Sequence, residues 1–318
     1  MSDKLFSLSV RPEKDKTLDK LKFVEHVLRR KTSMNRMKRL LMRKRVACAL
    51  AIFAMLALET TTSGKLAANK LAANKLSPFS AAANSAAANK LAGRRIAVGQ
   101  LGSNRYTANA ETTADFMATP QGREVLSFIV SCALPADVTL VGTAPDGTVL
   151  EFFGDLGLAD EWLNHPLKKA GRGWVSACLF ARVNNNDVPI PLSMRGPTQA
   201  LATTPEEEAA WTLEEGAFDG DYFVAPGEPV QWIACRGRDQ AAGEIGGLGT
   251  RDCTEPDPND PTHTLCGFTY AGDCGDFAPV PACEHLAPDG FYRKCQDHPG
   301  DESHSDVFRQ VITVFALP

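Results

Sequence analysis

Residues 297–306, Asp-His-Pro-Gly-Asp-Glu-Ser-His-Ser-Asp, place two imidazoles and four carboxylates within ten positions. Imidazole and carboxylate together suit zinc, and carboxylates alone suit calcium. His298, Asp301, His304 and Asp306 are therefore the candidate metal ligands. Their spacing matches no established ligand pattern, so a solvated acidic loop is the competing reading. A second acidic run, Asp252, Glu255, Asp257, Asn259 and Asp260, is interrupted by prolines. It lacks the glycine and terminal glutamate of an EF-hand and reads as loop.

Cys178 beside Ser176 is the one place where a nucleophile suggests itself. A nucleophile needs a base, and none of His26, His165, His263, His285, His298 and His304 stands in a recognisable arrangement with it. Ser176 lacks the Gly-x-Ser-x-Gly elbow of an α/β-hydrolase. No phosphate-binding glycine loop and no dinucleotide fingerprint is present. No catalytic residue and no cofactor is assigned.

The remaining chemistry is that of sulfur. Cys48 lies in an apolar run, and eight more cysteines follow: Cys132, Cys178, Cys235, Cys253, Cys266, Cys274, Cys283 and Cys295. Six of them crowd into residues 235–295, a stretch poor in long apolar runs. An even count in such a region indicates a disulfide framework. A zinc site built on paired Cys-x-x-Cys spacings is not supported, because no such pair occurs.

Two helices position the first two of these cysteines. Trp174, Cys178, Leu179 and Val183 recur at helical spacing and form one wide apolar face, which Asn184-Asn185-Asn186 terminates. Thr119-Pro120 starts another helix, with Val125, Leu126, Phe128, Ile129 and Cys132 as its stripe and Pro135 as its stop. Cys132 and Cys178 each lie on the buried face of their helix, which predicts a disulfide joining the two. The six cysteines of 235–295 are then left to pair among themselves, in a connectivity that spacing leaves open.

Around these helices the chain reads as α+β. Val138–Thr143 and Thr148–Phe153 flank a Pro145-Asp146-Gly147 turn and predict a hairpin. Residues 157–163 suit a short helix, and Val188–Met194 suits an edge strand because of Pro189 and Pro191. Thr204-Pro205-Glu206-Glu207 is a capping box opening a helix expected to run through Trp211 and Leu213 to Gly216. Phe218–Phe223 suits an aromatic-rich turn, and Val230–Cys235 a strand. Residues 236–305 are loop-rich, and Val307–Leu317 is a closing central strand. The expected fold is a disulfide-stabilised globular α+β body with a loop-rich, cysteine-dense excursion, preceded by a low-complexity repeat stalk.

That stalk is expected over residues 65–110. Leu66, Leu71, Leu76, Ala81, Ala86, Leu91, Ile96, Leu101 and Tyr106 lead units of five, with Asn three residues later in most of them. A period of five fits neither a helix nor a strand. An Ala/Asn spacer and a short solenoid of the pentapeptide-repeat kind are the two readings. Upstream, Arg43-Lys44-Arg45 precedes the apolar run Val46–Leu58, and Thr60–Gly64 offers a cleavage zone. This is the pattern of a secretory signal peptide, too short to cross a bilayer comfortably. Met34, Met37 or Met42 is the expected start. An uncleaved signal-anchor would touch the membrane through residues 43–58 alone. The expected divisions are thus 1–64, 65–110, a body over 111–234 and a cysteine-rich segment with closing strand over 235–318.

Charge is divided along the same lines. Residues 1–64 carry net +9, residues 65–110 net +7, and residues 111–318 net −20, within an overall −4. An acidic body repels phosphate backbones, so no nucleic-acid partner is expected.

The order of an Ala/Asn-rich repeat, Val-Leu-Ser-Phe-Ile-Val-Ser-Cys-Ala-Leu-Pro over 125–135, Trp-Val-Ser-Ala-Cys-Leu-Phe-Ala-Arg-Val-Asn over 174–184 and Glu-Gly-Ala-Phe-Asp-Gly-Asp-Tyr-Phe over 215–223 resembles uncharacterised secreted proteins of myxobacteria. The resemblance implies export and no particular activity. Such proteins often carry Tyr and Asn where Asp219 and Asp221 stand, which argues against an acidic site there. The expectation is an exported, non-catalytic binding or structural module at the cell surface or outside the cell, with an unknown envelope or extracellular ligand. The alternative is an exported metal-assisted hydrolase using the 297–306 cluster.

Overall fold

The computed structural model describes residues 71–74, 76–185, 189–238, 251, 253, 256–258, 260–301 and 303–318. The signal-like run, Cys48, the first unit of the repeat and Glu302 lie outside the described residues.

Among the described residues the first elements are β1 (Leu71–Asn74) and α1 (Pro78–Ala92). Ser77 caps α1, its Oγ accepting from the Ser80 N–H, and Pro78 occupies the first turn, where no N–H is required. Ala81, Ala88, Leu91 and Ala92 are buried. Within the expected stalk, these residues of α1 therefore contribute to the core, together with Leu76 and Ile96. The buried alanines of α1 are small faces that let other helices approach. After α1 come the strands β2 (Ala97–Gly102) and β3 (Arg105–Ala108).

Two helices follow, α2 (Ala110–Met117) and α3 (Pro120–Ala133). Thr119 Oγ1 accepts from the Gly122 N–H at 3.0 Å and sets the start of α3. Gly122 also lets the two helices meet, since a Cβ there would lie 2.3 Å from the Phe116 carbonyl oxygen. The expected hairpin forms as β4 (Thr139–Thr143) and β5 (Val149–Phe153), turning at Gly147 with φ +85°. These strands complete a four-stranded sheet in the order β2-β3-β4-β5, with β3 and β4 parallel.

The larger sheet has eight strands. Its remaining elements begin after α4 (Lys169–Ala181), with β6 (Ile190–Arg195), the short helix α5 (Pro205–Ala210), β7 (Leu213–Asp221) and β8 (Gln231–Arg236). Then come β9 (Pro256–Asp257), β10 (Asp260–Thr264), β11 (Thr269–Asp273), β12 (Cys295–Gln296), β13 (Val307–Phe308) and β14 (Ile312–Ala316). The order is β1-β6-β14-β7-β8-β11-β10-β9, while β12 and β13 pair separately. Strands from both expected segments, 111–234 and 235–318, share this sheet, and Lys65–Pro318 forms one compact unit.

Three sequence expectations change here. The capped helix stops at Ala210 instead of Gly216, and Leu213–Asp221, read as helix end and aromatic turn, is one continuous central strand. The strand over 190–195 is not an edge, because β1 pairs along its outer side and takes that place. The closing strand is split into β13 and β14, but β14 is central as expected, lying between β6 and β7.

Side chains alternate across the big sheet. Phe218, Trp232, Ala234, Ile312 and Val314 face the helices, where α4 buries Val175, Cys178, Leu179 and Phe180. Phe180 stacks on Trp232 with centroids 5.1 Å apart. Ala217, Ile233, Cys235, Ala271 and Val311 face the other way, under a layer made by Cys274, Ala282, Cys283, Tyr292 and Cys295. Each large apolar side chain so buried contributes about 1.5–3 kcal/mol. The cysteine-dense excursion thus replaces a second helical layer.

All eight cysteines of the body are paired. Cys132 and Cys178 join α3 to α4 with Cα atoms 6.0 Å apart, as their helical faces predict. The other pairs are Cys235–Cys274, Cys253–Cys266 and Cys283–Cys295. No helix among the described residues is long and apolar enough to cross a membrane.

Candidate functional site

The 297–306 segment is the turn between β12 and β13, whose register pairs Cys295 with Phe308 and Gln296 with Val307. Asp297 closes it: its Oδ1 accepts from the Asp306 N–H at 2.8 Å and from the Ser305 hydroxyl at 3.3 Å. His298 Nδ1 lies 3.2 Å from the same oxygen. Asp301 accepts from the Ser303 hydroxyl at 2.7 Å and N–H at 3.1 Å, and its other oxygen lies 2.9 Å from His304 Nδ1. The Ser303 hydroxyl first, then His304, hold the Asp301 carboxyl below its ordinary range. Asp306 accepts from Gln231 Nε2 at 3.3 Å.

The four candidate ligands therefore do not converge. Asp301 pairs with His304, His298 with Asp297, and Asp306 with Gln231. Among the described residues, only Cys235, Cys283 and Cys295 bring three potential ligand atoms within 4.8 Å of one another. His298 and His304 are 58% and 76% exposed and serve the loop's own hydrogen bonds.

A carboxyl of the central sheet is closed off from solvent. Asp219 sits on the cysteine-side face of β7, opposite Ile233, and is 1% exposed. Its Oδ1 has no hydrogen-bond partner among the described residues. Burial, and secondarily the charge of Asp297, push its pKa well above the usual carboxylate range. Burial thus favours the neutral form of the Asp219 carboxyl, which is sealed from any substrate. Asp221, two residues on, accepts from the Phe223 N–H at 2.8 Å and forms the turn that ends the strand.

The residues weighed as nucleophiles are structural. Cys178 is closed in its disulfide. Ser176 is fully buried, and its Oγ accepts from the Tyr222 N–H at 2.9 Å, tying α4 to the end of β7.

Two of the open clefts among the described residues border α1. Phe79 is 74% exposed. It forms the ridge between two clefts. One, of about 500 Å³, is lined by Asn84, Asp115, Thr119 and Gln121 besides Phe79. The other, of about 460 Å³, is lined by Ser85, Asn185, Trp232 and Asp257 besides Phe79. An aromatic face flanked by amide, hydroxyl and carboxylate groups suits a polar ligand with an apolar surface. Nothing in the sequence singled out Phe79, since its exposure depends on which side of α1 the fold buries.

Comparison of the chain with protein-family models, with curated proteins and with solved structures finds no match.

Proposed function

We propose that this chain is exported and acts at the cell surface or outside the cell as a non-catalytic binding module, with its ligand contacts centred on Phe79. The observation that carries the reading is the closure of all eight body cysteines into four disulfides, distributed over both faces of the central sheet. Disulfides persist in oxidising compartments and are rare in the cytosol. The signal-like run at 46–58 and the likeness to secreted proteins support the same compartment.

The binding role is supported by where the polar groups are. The imidazoles of the 297–306 turn are engaged in its own hydrogen bonds, and the perturbed Asp219 is sealed. The pair of clefts beside Phe79 offers open polar and aromatic surface. A ligand crossing that ridge touches both, which favours an extended envelope polymer over a small metabolite.

Two measurements test this. An N-terminally tagged full-length chain should lose its tag on export, leaving a mature N-terminus near residues 57–65; intact tagged protein confined to the cytosol would refute export. The exported protein should sediment with isolated cell-envelope polymer. Phe79→Ala should weaken that association at least tenfold, or about 1.4 kcal/mol, while the unfolding midpoint stays unchanged. Undiminished association of the variant would refute the assigned surface.

A further inference from the structure

Two of the four disulfides touch. Cys235 Sγ lies 3.3 Å from Cys283 Sγ, and Cys235 and Cys283 are bonded to Cys274 and Cys295 respectively. The sulfurs come from four separate segments, β8, the end of β11, the loop at 283 and β12; those of Cys235, Cys283 and Cys295 lie within 4.8 Å of one another, and that of Cys274 joins them through its bond to Cys235. All four residues are buried. Ala217, Ile233, Ala271, Ala282 and Val311 pack in the same buried cluster.

We propose that the reduced form of this body binds one zinc ion through the thiolates of Cys235, Cys274, Cys283 and Cys295, and that the two contacting disulfides are the oxidised, metal-free state of that site. A tetrahedral zinc site with Zn–S bonds of about 2.3 Å places its sulfurs about 3.8 Å apart. The ligand atoms of Cys235, Cys283 and Cys295 already lie within 4.8 Å of one another. The Cα atoms of the two bonded pairs are 5.2 and 3.9 Å apart. Side chains extended side by side from such positions reach the required sulfur spacing by rotation about their own bonds. A set of four thiolates in an apolar pocket is the donor set that selects zinc over calcium or magnesium.

The other cysteines do not offer this. Cys132–Cys178 lies in the helical layer on the opposite face of the sheet, and Cys253–Cys266 is part of that same core. Nor do spacings reveal the quartet, because positions 235, 274, 283 and 295 contain no Cys-x-x-Cys. Only the pairing of β8 with β11 and the turn back through β12 bring them together.

The two states exchange by balanced chemistry. The zinc form carries four thiolates. Two equivalents of an exchanging small-molecule disulfide remove four electrons from them, forming Cys235–Cys274 and Cys283–Cys295. The four small-molecule thiolates released take up four protons from water, and one Zn²⁺ leaves. A reducing compartment favours the metal form and an oxidising one the form described here.

The test uses the full chain, unfolded, fully reduced and refolded under argon with a phosphine reductant and one equivalent of Co²⁺ or Zn²⁺. The expected result is a folded protein holding one metal per chain. Its Co²⁺ form should show thiolate-to-metal charge transfer and the intense visible bands of tetrahedral coordination, and X-ray absorption on the zinc form should count four sulfurs. The double variants Cys132→Ser/Cys178→Ser and Cys253→Ser/Cys266→Ser should keep that spectrum, and Cys283→Ser/Cys295→Ser should lose it. Adding a small-molecule disulfide should release one Zn²⁺ per chain. A reduced chain that binds no metal, or stays unfolded with metal present, would overturn the proposal. So would a sulfur count below four, or metal retained in the Cys283/Cys295 variant, or lost equally from all three variants.

Discussion

Arg251 and Glu215 form an ion pair sealed between α4 and the central sheet, with side-chain exposures of 0% and 1%. Glu215 is the extra residue of a bulge in β7, where β14 pairs Phe315 with Glu214 but Val314 with Gly216. The bulge turns Glu215 toward the helices. There Arg251 Nε donates to its Oε1 at 2.8 Å, and Arg251 Nη1 donates to the Ala181 carbonyl at 2.7 Å. One guanidinium therefore also caps the end of α4. Removing one partner strands a buried charge. Arg251→Met or Glu215→Gln alone should cost about 3–5 kcal/mol, and the double change Arg251→Met/Glu215→Leu should recover much of that. Denaturant unfolding of the oxidised proteins decides it; single variants within about 1 kcal/mol of the parent, a size typical of exposed pairs, would contradict this role.

Asp219 gives stability a pH dependence of definite sign. Its folded pKa is raised well above the ordinary carboxyl range, chiefly by burial, so the folded state holds a proton that the unfolded chain releases. The contribution is fully present below the unfolded pKa and is lost as pH rises through the folded one. Asp219→Asn keeps the shape without the titration. Compared with the parent, the variant should gain stability progressively as pH rises above about 4, and the two should differ least in acid. A difference that shrinks with rising pH would contradict the assignment.

His298→Ala/His304→Ala should leave stability within about 0.5 kcal/mol of the parent, the usual range for exposed positions. Both rings stand in solvent and touch only their own turn. The exported parent and the double variant, each dialysed against zinc and calcium, should carry the same metal content by elemental analysis. Stoichiometric metal lost in the variant would instead restore the hydrolase reading of residues 297–306.

The sequence made some of this fold legible and concealed the rest for identifiable reasons. Cys132 and Cys178 could be paired because each sits on a helical stripe whose inward face is visible from periodicity alone. The hairpin at Asp146-Gly147 and the start of α5 at Thr204 are local events with local signals. Strand β7 was hidden because Glu214, Glu215 and Asp219 look like solvent-facing acids. The bonding partners that let Glu214 and Glu215 be buried, Tyr292 and Arg251, lie 78 and 36 residues away. Residues 76–110 looked like a spacer because alanine is a weak mark of burial in sequence, although it packs closely in the core. The pairing of Cys235 with Cys274 across β8 and β11 is a property of the sheet, and no spacing encodes it. Phe79 is exposed for the same reason that Leu91 is buried, the orientation of α1, which is decided by neighbours distant in the chain.

The body is locked by its cysteines, and the Cys132–Cys178 link between α3 and α4 is the longest-reaching of these locks. The loop it closes, 46 residues in sequence separation, corresponds to roughly 4 kcal/mol in the chain-entropy model. That is a large part of the ~5–15 kcal/mol that stabilises a typical domain. Non-reducing peptide mapping of the exported protein is the most direct measurement. The account predicts four linked peptide pairs, Cys132 with Cys178, Cys235 with Cys274, Cys253 with Cys266 and Cys283 with Cys295, and no free thiol among these eight. Free thiols at both Cys132 and Cys178 in native protein would contradict it.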